Sequence, residues 1–392
     1  MDIKTLLGRG VEEVIDKKHL ETALRSGKKL RVKLGIDPTS PNIHIGRAVL
    51  LWKLRAFQDA SHTAVFIVGD LTGLVGDASD KDAERPMLTQ EEIRANMRTY
   101  FAQAYKILDK KKTEVYYNSK WLKKMGFVDV AKMASLFGLH EFEARDVIAR
   151  RMKAGKRVSF HELIYPLMQG YDSVMVRADV ELGGTDQRFN LLTGRRIQEL
   201  YGQKPQDIVM MDILEGTDGR KMSSSWGNVI NITDSADEMF GKVMSIQDTF
   251  IKKYFLLATS LPMEKIEKVL RSMPNPRDQK LFLAESVVWQ YYDQKIALTA
   301  RKNFEKKFGK LASRGGGGEI RADLELKKKP GNYNIVDLLV EGHLAASKSE
   351  ARRKIIEGAV EVDGSKIKDE RAPVKLTKNS LIRLGKRFLR IT

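Results

Sequence analysis

Short apolar segments alternate with longer amphipathic ones in the first half of the chain. Residues 64–69 are an apolar run, residues 30–36 are a short run bounded by turn-forming residues, and residues 206–213 resemble a later strand, so all three predict β-strands. Between the first two, residues 45–58 repeat apolar side chains at near-helical spacing, which predicts an α-helix. Strands that alternate with helices predict an α/β fold with a parallel, doubly wound sheet. In such a sheet, ligands bind at the carboxyl ends of the strands.

Other parts of the chain have helical patterns. These are an opening stretch to about Ser26, residues from about 110 to 157, and the chain from Ile232 to about Leu311. The glycine run 315–318 loses much backbone entropy on ordering, so it predicts a linker. The predicted domains are a first domain at 1–228 with a helical insertion around 110–157, an α-helical domain at 229–312, a linker at 313–331 and a small α+β domain at 332–392.

Composition narrows the class of protein. The 392-residue chain has no cysteine, which excludes disulfides, a thiolate nucleophile and a cysteine-based zinc site. Its first residues lack the apolar core of a signal peptide, and no stretch has the length of a membrane span, so we expect a cytoplasmic protein. The formal charge of +18 favours a polyanionic partner, but it does not distinguish RNA from DNA and also fits a merely basic soluble protein.

A polar loop joins the first predicted strand to the first predicted helix. It contains Asp37-Pro38-Thr39 and ends in His44-Ile45-Gly46-Arg47 at the helix start. Backbone N–H groups there favour an anion, and a glycine flanked by hydrogen-bonding and cationic side chains suits a triphosphate. The alternative is that the histidine and arginine are ordinary surface residues. The segment is not a Walker A loop, and no Gly-x-Gly-x-x-Gly follows a strand.

A second segment, rich in cations and hydroxyls, follows the predicted strand 206–213. Residues 218–225 are Asp-Gly-Arg-Lys-Met-Ser-Ser-Ser, with Lys221 in the middle. A mobile cationic loop can stabilise a leaving pyrophosphate in the transition state. Alone, such a loop also fits a solvated linker. The two segments together are more specific, because they bracket one predicted nucleotide-binding core.

These segments resemble the HIGH and KMSKS signatures of class I aminoacyl-tRNA synthetases. Leu34–Thr39, Thr72–Asp77, Tyr165–Ser173 and Gly183–Gln187 resemble the tyrosyl-tRNA synthetases in particular. The resemblance implies a Rossmann-like catalytic domain, an anticodon-side helical domain, and activation of L-tyrosine with ATP followed by transfer to the 3′ end of its tRNA. It also implies a homodimer, and magnesium that accompanies ATP without a permanently bound metal or organic cofactor.

The resemblance assigns residues to a tyrosine pocket. It implies that Asp172 accepts the hydrogen bond of the substrate phenol. The other implied tyrosine contacts are Asp77, Tyr165 and Gln169 at the ammonium group, Gln187 at the carboxyl region, and Gly35 and Lys33. The role of Lys33 stays open, since one branch of the family has a phenol-contacting tyrosine there and another has the Val-Lys-Leu-Gly form found here. From spacing alone, Tyr165 and Gln169 also fit helix packing, because positions i and i+4 share a face.

The resemblance also assigns an ATP site, with two departures from the family pattern. Thr39, His44, Arg47 and Lys221 are implied as catalytic phosphate contacts, and Asp37, Gly46, Gly184, Asp186, Met222 and Ser224 as further ATP contacts, with Asp186 at the ribose. Arg47 stands where the first signature has histidine, and Ser224 stands where the second has its second lysine. Our hypothesis is compensation, because the forked arginine cation can replace the charge that the loop has lost.

The tail beyond about Asn332 resembles an S4 RNA-binding domain. Ser347 or Ser349 can cap a helix whose cations, Lys348, Arg352, Arg353 and Lys354, suit an RNA backbone. Such a cluster also fits a solvated helix face.

Two other functions compete with a tyrosine–tRNA ligase. One is a catalytically weakened paralogue that acts as an RNA-binding protein, and the other is an S4-bearing RNA-modifying enzyme. A pure RNA binder has no need of Asp77, Gln169, Asp172 and Gln187 together, so the tyrosine contacts favour the ligase.

Overall fold

The computed structural model describes residues 2–77, 87–308 and 324–392, apart from positions 368, 372, 378 and 386. The chain divides into two units, residues 1–301 and 302–392. The strands of the first unit are β1 (Val11–Ile15), β2 (Arg31–Ile36), β3 (Thr63–Val68), β4 (Thr113–Tyr117), β5 (Val180–Gly184) and β6 (Asp207–Met211). They form one sheet in the order β1-β6-β5-β2-β3-β4. β1 is antiparallel to β6, and the other neighbours are parallel.

Helices cover the sheet and continue beyond it. They are α1 (Ile3–Gly8), α2 (Lys17–Arg25), α3 (Ile45–Asp59), α4 (Thr72–Val75), α5 (Gln90–Met97), α6 (Tyr100–Ala104), α7 (Ser119–Leu122), α8 (Phe127–Ala134), α9 (Leu139–Glu143), α10 (Asp146–Lys153), α11 (Phe160–Val176), α12 (Arg188–Leu200), α13 (Ala236–Met244), α14 (Ile251–Ala258), α15 (Met263–Ser272), α16 (Pro276–Tyr291) and α17 (Gln294–Phe308). None of the helices in the described ranges is both long and apolar enough to cross a membrane. The prediction of a helical region after Ile232 is confirmed.

The strand order places a binding cleft at the centre of the sheet. From β2 the chain moves outward through β3 to β4, and it then returns to β5 on the other side of β2. Loops that leave the carboxyl ends of β2 and β5 therefore diverge, which opens a crevice between them. The predicted strands at 30–36, 64–69 and 206–213 correspond to β2, β3 and β6, and the predicted helix at 45–58 is α3.

Both edge strands of this sheet contradict the helical predictions made for their segments. β1 lies inside the opening stretch predicted as helix, after a turn at Gly10, whose φ of +65° favours glycine. β4 lies inside the insertion that was predicted to be helical from about residue 110 to 157. Neither strand has a fully buried residue, whereas every residue of β3 after Thr63 is buried. An edge strand is half exposed, so it lacks the apolar run that marks a buried strand such as β3.

The second unit is a small α+β fold. Its helices are α18 (Ile335–Glu341) and α19 (Lys348–Ile356), and its strands are β7 (Leu324–Leu326), β8 (Gly331–Asn334), β9 (Val360–Val362), β10 (Ser365–Lys366), β11 (Pro373–Leu376), β12 (Leu381–Leu384) and β13 (Arg387–Ile391). Five strands form a sheet in the order β10-β9-β12-β13-β7, and β8 pairs with β11. Ser347 caps α19 by accepting a hydrogen bond from the Glu350 backbone N–H, as one of the two predicted caps.

The predicted linker at 313–331 is shorter than expected at its carboxyl end. Residues 309–323, which include the glycine run, lie outside the described part of the chain. β7 falls within the predicted linker and pairs in parallel with β13, so the ordered fold includes Leu324–Leu326. A three-residue strand between charged residues carries too little apolar pattern to be recognised beside a glycine run.

Candidate active site

A cleft opens between the carboxyl ends of β2 and β5 and the loops that follow them. It brings together most residues predicted for ATP and tyrosine. These are Gly35, Asp37, Thr39, His44, Gly46, Arg47, Asp77, Tyr165, Gln169, Gly184, Asp186, Gln187, Lys221, Met222 and Ser224. Lys33 and Asp172 are buried and are not among the residues that line the cleft. The predicted RNA contacts belong to α19 of the second unit.

His44 and Gly46 shape the phosphate end of the cleft. The His44 ring is buried and caps α3, because its Nδ1 accepts a hydrogen bond from the Arg47 backbone N–H at 3.3 Å. Burial holds the pKa of His44 well below its ordinary value, and the charges of Arg47 and Lys221 act in the same direction. The imidazole is therefore a neutral hydrogen-bonding group. A Cβ at Gly46 would lie 3.1 Å from the His44 ring, so glycine leaves room for the ring in its capping position.

The Arg47 guanidinium is held in place beside the cleft. It donates to the hydroxyl of Tyr100 at 2.6 Å and to Thr39 Oγ1 at 3.0 Å. Tyr100 is fully buried on α6. The arginine thus lies next to Thr39, another predicted phosphate contact, in a fixed orientation.

Asn228 organises the loop that carries Lys221. Its Oδ1 accepts from the Ser223 backbone N–H at 2.8 Å, and its Nδ2 donates to Asp218 at 2.7 Å and to the Lys221 carbonyl at 3.0 Å. Two side chains then reach across the cleft. Lys221 Nζ lies 2.6 Å from Asp186 Oδ2, and the Ser224 hydroxyl donates to that of Ser40 at 3.2 Å.

Carboxylates and a tyrosine also line the cleft. Tyr165 donates its phenol proton to Asp37 at 2.9 Å, and Gln187 donates to Asp77 at 2.6 Å. Burial raises the pKa of Tyr165 well above its ordinary value, and Asp37, Asp77 and Asp172 act in the same direction. This concentration of negative charge suits a substrate ammonium group.

Asp172 is a buried acceptor between two nitrogen donors. Trp121 Nε1 donates to it at 2.7 Å and Asn118 Nδ2 at 3.1 Å. Burial raises the pKa of Asp172 to about 7, against the opposing effects of Lys33 and the two hydrogen bonds. A buried carboxylate with such partners can accept one further hydrogen bond with high selectivity, because an apolar group there would leave it unpaired.

Comparison with known proteins identifies the family. A sequence model described as "tRNA synthetases class I (W and Y)" matches residues 25–309, and a model of the C-terminal domain of SYY-like tyrosine–tRNA ligases matches residues 323–388. The tyrosine–tRNA ligase of Thermotoga maritima is 46% identical over 99% of this chain and 96% of that protein. The chain is an aminoacyl-tRNA synthetase of the tyrosine–tRNA ligase family. The predicted resemblance and fold class are confirmed.

Other members of the tyrosine–tRNA ligase family agree in sequence and fold. The enzyme of Dehalococcoides mccartyi strain CBDB1 is 45% identical over 98% of this chain and 97% of that protein. The crystal structure of the Archaeoglobus fulgidus tyrosyl-tRNA synthetase with L-tyrosine superposes with a TM-score of 0.61 at 23% identity, covering 76% of this chain and 98% of that one. A truncated Aspergillus nidulans mitochondrial enzyme gives 0.64 at 21% identity, over 77% and 93%. At these identities, the structures support the shared fold.

The structure of this synthetase also contains site residues that sequence reasoning missed. Asn118 and Trp121 follow β4 and donate to Asp172, so recognising that strand would have pointed to them. Glu181 is a charge within an apolar strand, which was a usable signal. Nothing in the sequence pattern around Tyr100 or Asn228 indicates their contacts, because these depend on segments far apart in the chain.

Acidic and histidine side chains also meet at the other end of the synthetase sheet. Among the described residues, Asp16, His19 and Asp207 bring possible metal-binding atoms close together. Asp207 begins β6, opposite the cleft, and both its oxygens lie within 3.0 Å of His19 Nδ1. The group forms a histidine–carboxylate pair and is separate from the candidate active site.

Proposed function

We propose that this chain activates L-tyrosine with ATP and transfers the tyrosyl group to the 3′-terminal ribose of its tRNA. The observation that carries the proposal is a single cleft lined both by cations, Arg47 and Lys221, and by Tyr165 with the carboxylate of Asp77. The cations suit a triphosphate, and the carboxylate suits an amino acid ammonium group. Family membership supports the same reaction.

The first step is an in-line displacement at phosphorus. A tyrosine carboxylate oxygen forms a bond to the α-phosphorus of ATP, and the bond from that phosphorus to the leaving pyrophosphate breaks. Gln187 contacts the carboxyl region, while Arg47, Lys221 and neutral His44 stabilise charge on the phosphates. The tRNA ribose hydroxyl then attacks the tyrosyl carbonyl carbon and releases AMP. Positioning and charge stabilisation are sufficient for such chemistry, so no covalent enzyme intermediate is required.

Magnesium enters this scheme as part of the ATP complex. Mg²⁺ keeps several waters and takes phosphate oxygens in preference to a dedicated protein cage. The donor set fits this arrangement, because two cleft carboxylates already have partners. Asp37 accepts from Tyr165 and Thr72, and Asp186 accepts from Lys221. The ion screens phosphate charge, while the residues above orient the reacting groups.

Tyrosine selectivity is assigned to Asp172. Its carboxylate, held by Asn118 and Trp121, accepts a hydrogen bond from the substrate phenol. Tyrosyl-tRNA synthetases are themselves the standard measured case of selectivity through a hydrogen bond to the substrate, at about 10⁵-fold over phenylalanine without editing. Phenylalanine leaves the buried acceptor unpaired, which is the physical origin of the discrimination.

The proposed assembly is a homodimer in the cytoplasm. The region between β4 and β5 exposes large apolar side chains, which include Phe127 at 90% and Phe160 at 74% exposure. Apolar side chains this exposed favour burial against a second copy of the chain. Sedimentation of the Phe127→Asp and Phe160→Asp double variant is expected to give a monomer, whereas an unchanged dimer would contradict this interface.

The proposed domain division keeps the boundaries 1–228, 229–312, 313–331 and 332–392, with β7 as an ordered exception in the linker. In this scheme the last domain, of S4 type, contacts tRNA through Lys348, Arg352, Arg353 and Lys354. Lys348, Arg352 and Arg353 are exposed on α19 and Lys354 is partly exposed, which supports the role.

ATP–pyrophosphate exchange with tyrosine, phenylalanine and tryptophan tests the proposed reaction. We expect exchange that depends on tyrosine and magnesium, with phenylalanine and tryptophan lower by several orders of magnitude. Exchange with tryptophan alone would reassign the substrate. No exchange with any of the three, at high protein concentration, would favour the RNA-binding paralogue.

A further inference from the structure

An ion pair is buried behind the tyrosine end of the cleft. Lys33 on β2 and Glu181 on β5 are direct register partners, so their side chains leave the same face of the sheet. Lys33 Nζ lies 2.9 Å from Glu181 Oε1, and the two side chains are 0% and 1% exposed. Neither residue lines the cleft. A buried pair of charges is costly to desolvate, so its other hydrogen bonds show what the pair organises.

Lys33 uses its protons within the protein. Besides Glu181, its ammonium donates to the Gln169 backbone carbonyl at 2.8 Å and to Ser173 Oγ at 2.7 Å. An ammonium group has three donors, and these three acceptors account for them. Lys33 therefore acts on the site through neighbouring groups, and not as a contact to the substrate phenol.

Glu181 orients the side-chain amide of Gln169. Gln169 Nε2 donates to Glu181 Oε1 at 3.0 Å, and Gln169 Oε1 accepts from Asn190 Nδ2 at 3.2 Å. The two ends of an amide have nearly the same shape, so hydrogen-bond partners decide its orientation. A carboxylate only accepts, so it selects the nitrogen end and leaves the oxygen end toward Asn190. Ser173 and Gln206 also donate to Glu181 and hold it in place.

The same order continues along the cleft. Asn190 is fully buried and donates its second amide proton to Gln187 Oε1 at 2.9 Å. Gln187 Nε2 in turn donates to Asp77 at 2.6 Å. One row of hydrogen bonds thus runs from the buried Glu181 to Asp77, and a carboxylate at each end fixes the direction of the amides between them.

We propose that Lys33 and Glu181 form a positioning pair that orients the Gln169 amide oxygen for the ammonium group of tyrosine. Through Asn190, the pair also sets the orientation of Gln187 against Asp77. The inference rests on the proposed tyrosine activation and assigns a role to Lys33 in it. A reversed Gln169 amide presents N–H protons to a cationic substrate, which removes an acceptor and adds repulsion.

Glu181→Gln tests the pair, because it keeps the shape of the side chain and removes the charge. We expect the tyrosine KM in pyrophosphate exchange to rise about 10- to 100-fold, as for a lost hydrogen bond to a charged group, with the ATP KM changed less than about twofold. The deciding comparison is equilibrium binding of tyrosine and of 3-(4-hydroxyphenyl)propanoate, which lacks the ammonium group. Only tyrosine should bind more weakly.

Two further variants keep the test interpretable. The double variant Lys33→Met and Glu181→Gln removes both charges together, so it avoids an uncompensated buried charge and should show the same tyrosine-specific loss. Glu114→Gln is the matched control. Glu114 lies on β4 of the same sheet and pairs with Arg31 of β2, and neither residue lines the cleft. This variant should leave both KM values unchanged.

Equal weakening of tyrosine and of the analogue by Glu181→Gln would overturn the inference, because a general distortion of the pocket affects both. An unchanged tyrosine KM in the folded double variant would also overturn it. Wild-type protein without tyrosine-dependent exchange would instead refute the proposed function, so the two failures are distinguishable.

Discussion

Lys221 and Asp186 face each other across the cleft, with Lys221 Nζ 2.6 Å from Asp186 Oδ2. The lysine is the proposed contact to the departing pyrophosphate, and the aspartate is the proposed contact to the ATP ribose. A bound nucleotide therefore competes with this ion pair for both side chains. Entry of the ribose hydroxyls at Asp186 frees the lysine charge for the phosphates, which couples the two contacts.

Lys221→Ala should lower kcat for pyrophosphate exchange by about 10²- to 10³-fold, the usual effect of removing one charge-stabilising donor. Tyrosine KM should change little, since the lysine is assigned to the phosphates and not to a tyrosine contact. Steady-state exchange kinetics with tyrosine and ATP varied separately measure both values. Lys242→Ala is the control, because that lysine also pairs with an aspartate, Asp234 at 2.6 Å, but on α13. A normal kcat in Lys221→Ala would contradict the role.

Variants of Arg47 test the hypothesis that its charge replaces the loop lysine whose position is occupied by Ser224. Its guanidinium is fixed by Tyr100 and Thr39, so it supplies a permanent charge in one orientation. Arg47→Ala should lower kcat/KM for ATP by about 10²- to 10³-fold, and Arg47→His by less, because imidazole retains one donor. Pyrophosphate exchange at varied ATP measures the change.

The double variant Arg47→Ala and Ser224→Lys distinguishes compensation from a structural role. It restores a loop lysine, so it should recover much of the activity lost in Arg47→Ala. Full activity in Arg47→Ala alone would show that the compensation hypothesis is wrong.

Sequence reasoning predicted the centre of this structure better than its edges. Three of the four central strands, β2, β3 and β6, were predicted because turn-forming residues bound short, mostly apolar segments, and the motifs that follow them carry their chemistry in adjacent residues. β1 and β4 were missed because one side of each strand has no neighbouring strand and their residues are only partly buried. The loss of β4 also hid Asn118 and Trp121, which hold Asp172. Contacts such as Arg47 to Tyr100 join residues 53 positions apart and become visible only in three dimensions.

Asp172 should make selectivity for tyrosine depend on pH. Its pKa is raised to about 7 by burial, so the carboxylate is ionised above pH 7 and protonated below it. Because the pKa of Asp172 is higher in the folded protein than its ordinary value of 3.8, its contribution to folding stability is present below pH 3.8 and is lost as the pH rises through 7. Protonation of Asp172 removes an acceptor for the tyrosine phenol. It also lowers the free-energy cost of leaving a buried carboxylate unpaired when phenylalanine binds.

The ratio of kcat/KM for tyrosine to that for phenylalanine, measured from about pH 5.5 to 8.5, tests this dependence. Below pH 7 the ratio should decrease with falling pH, and the decrease should approach about tenfold for each pH unit because it follows the ionised fraction of one group. Asp172→Asn should give a low ratio that does not vary with pH. A wild-type ratio that stays constant across the range would contradict the assignment.

Arg352 and Arg353 should carry much of the salt-dependent tRNA affinity of the tail. Lys348 and Lys354 each have a carboxylate oxygen within 2.8 Å, whereas the arginine nitrogens lie 3.9 and 3.8 Å from theirs. The arginines are thus more loosely paired and more available to phosphates. Each phosphate contact that is lost should reduce the slope of log affinity against log salt by about one.

The double variant Arg352→Ala and Arg353→Ala should therefore weaken tRNA binding and flatten its salt dependence by nearly two in slope. Tyrosine-dependent pyrophosphate exchange, which needs no tRNA, should stay at the wild-type rate. Filter binding of tRNA between about 50 and 200 mM salt measures the slope. Arg271→Ala on α15 is the control, because that arginine is 80% exposed and pairs with a glutamate on its own helix. If the α19 double variant shows the wild-type slope, as the Arg271→Ala control should, the α19 cations belong to a solvated helix face and tRNA binds elsewhere.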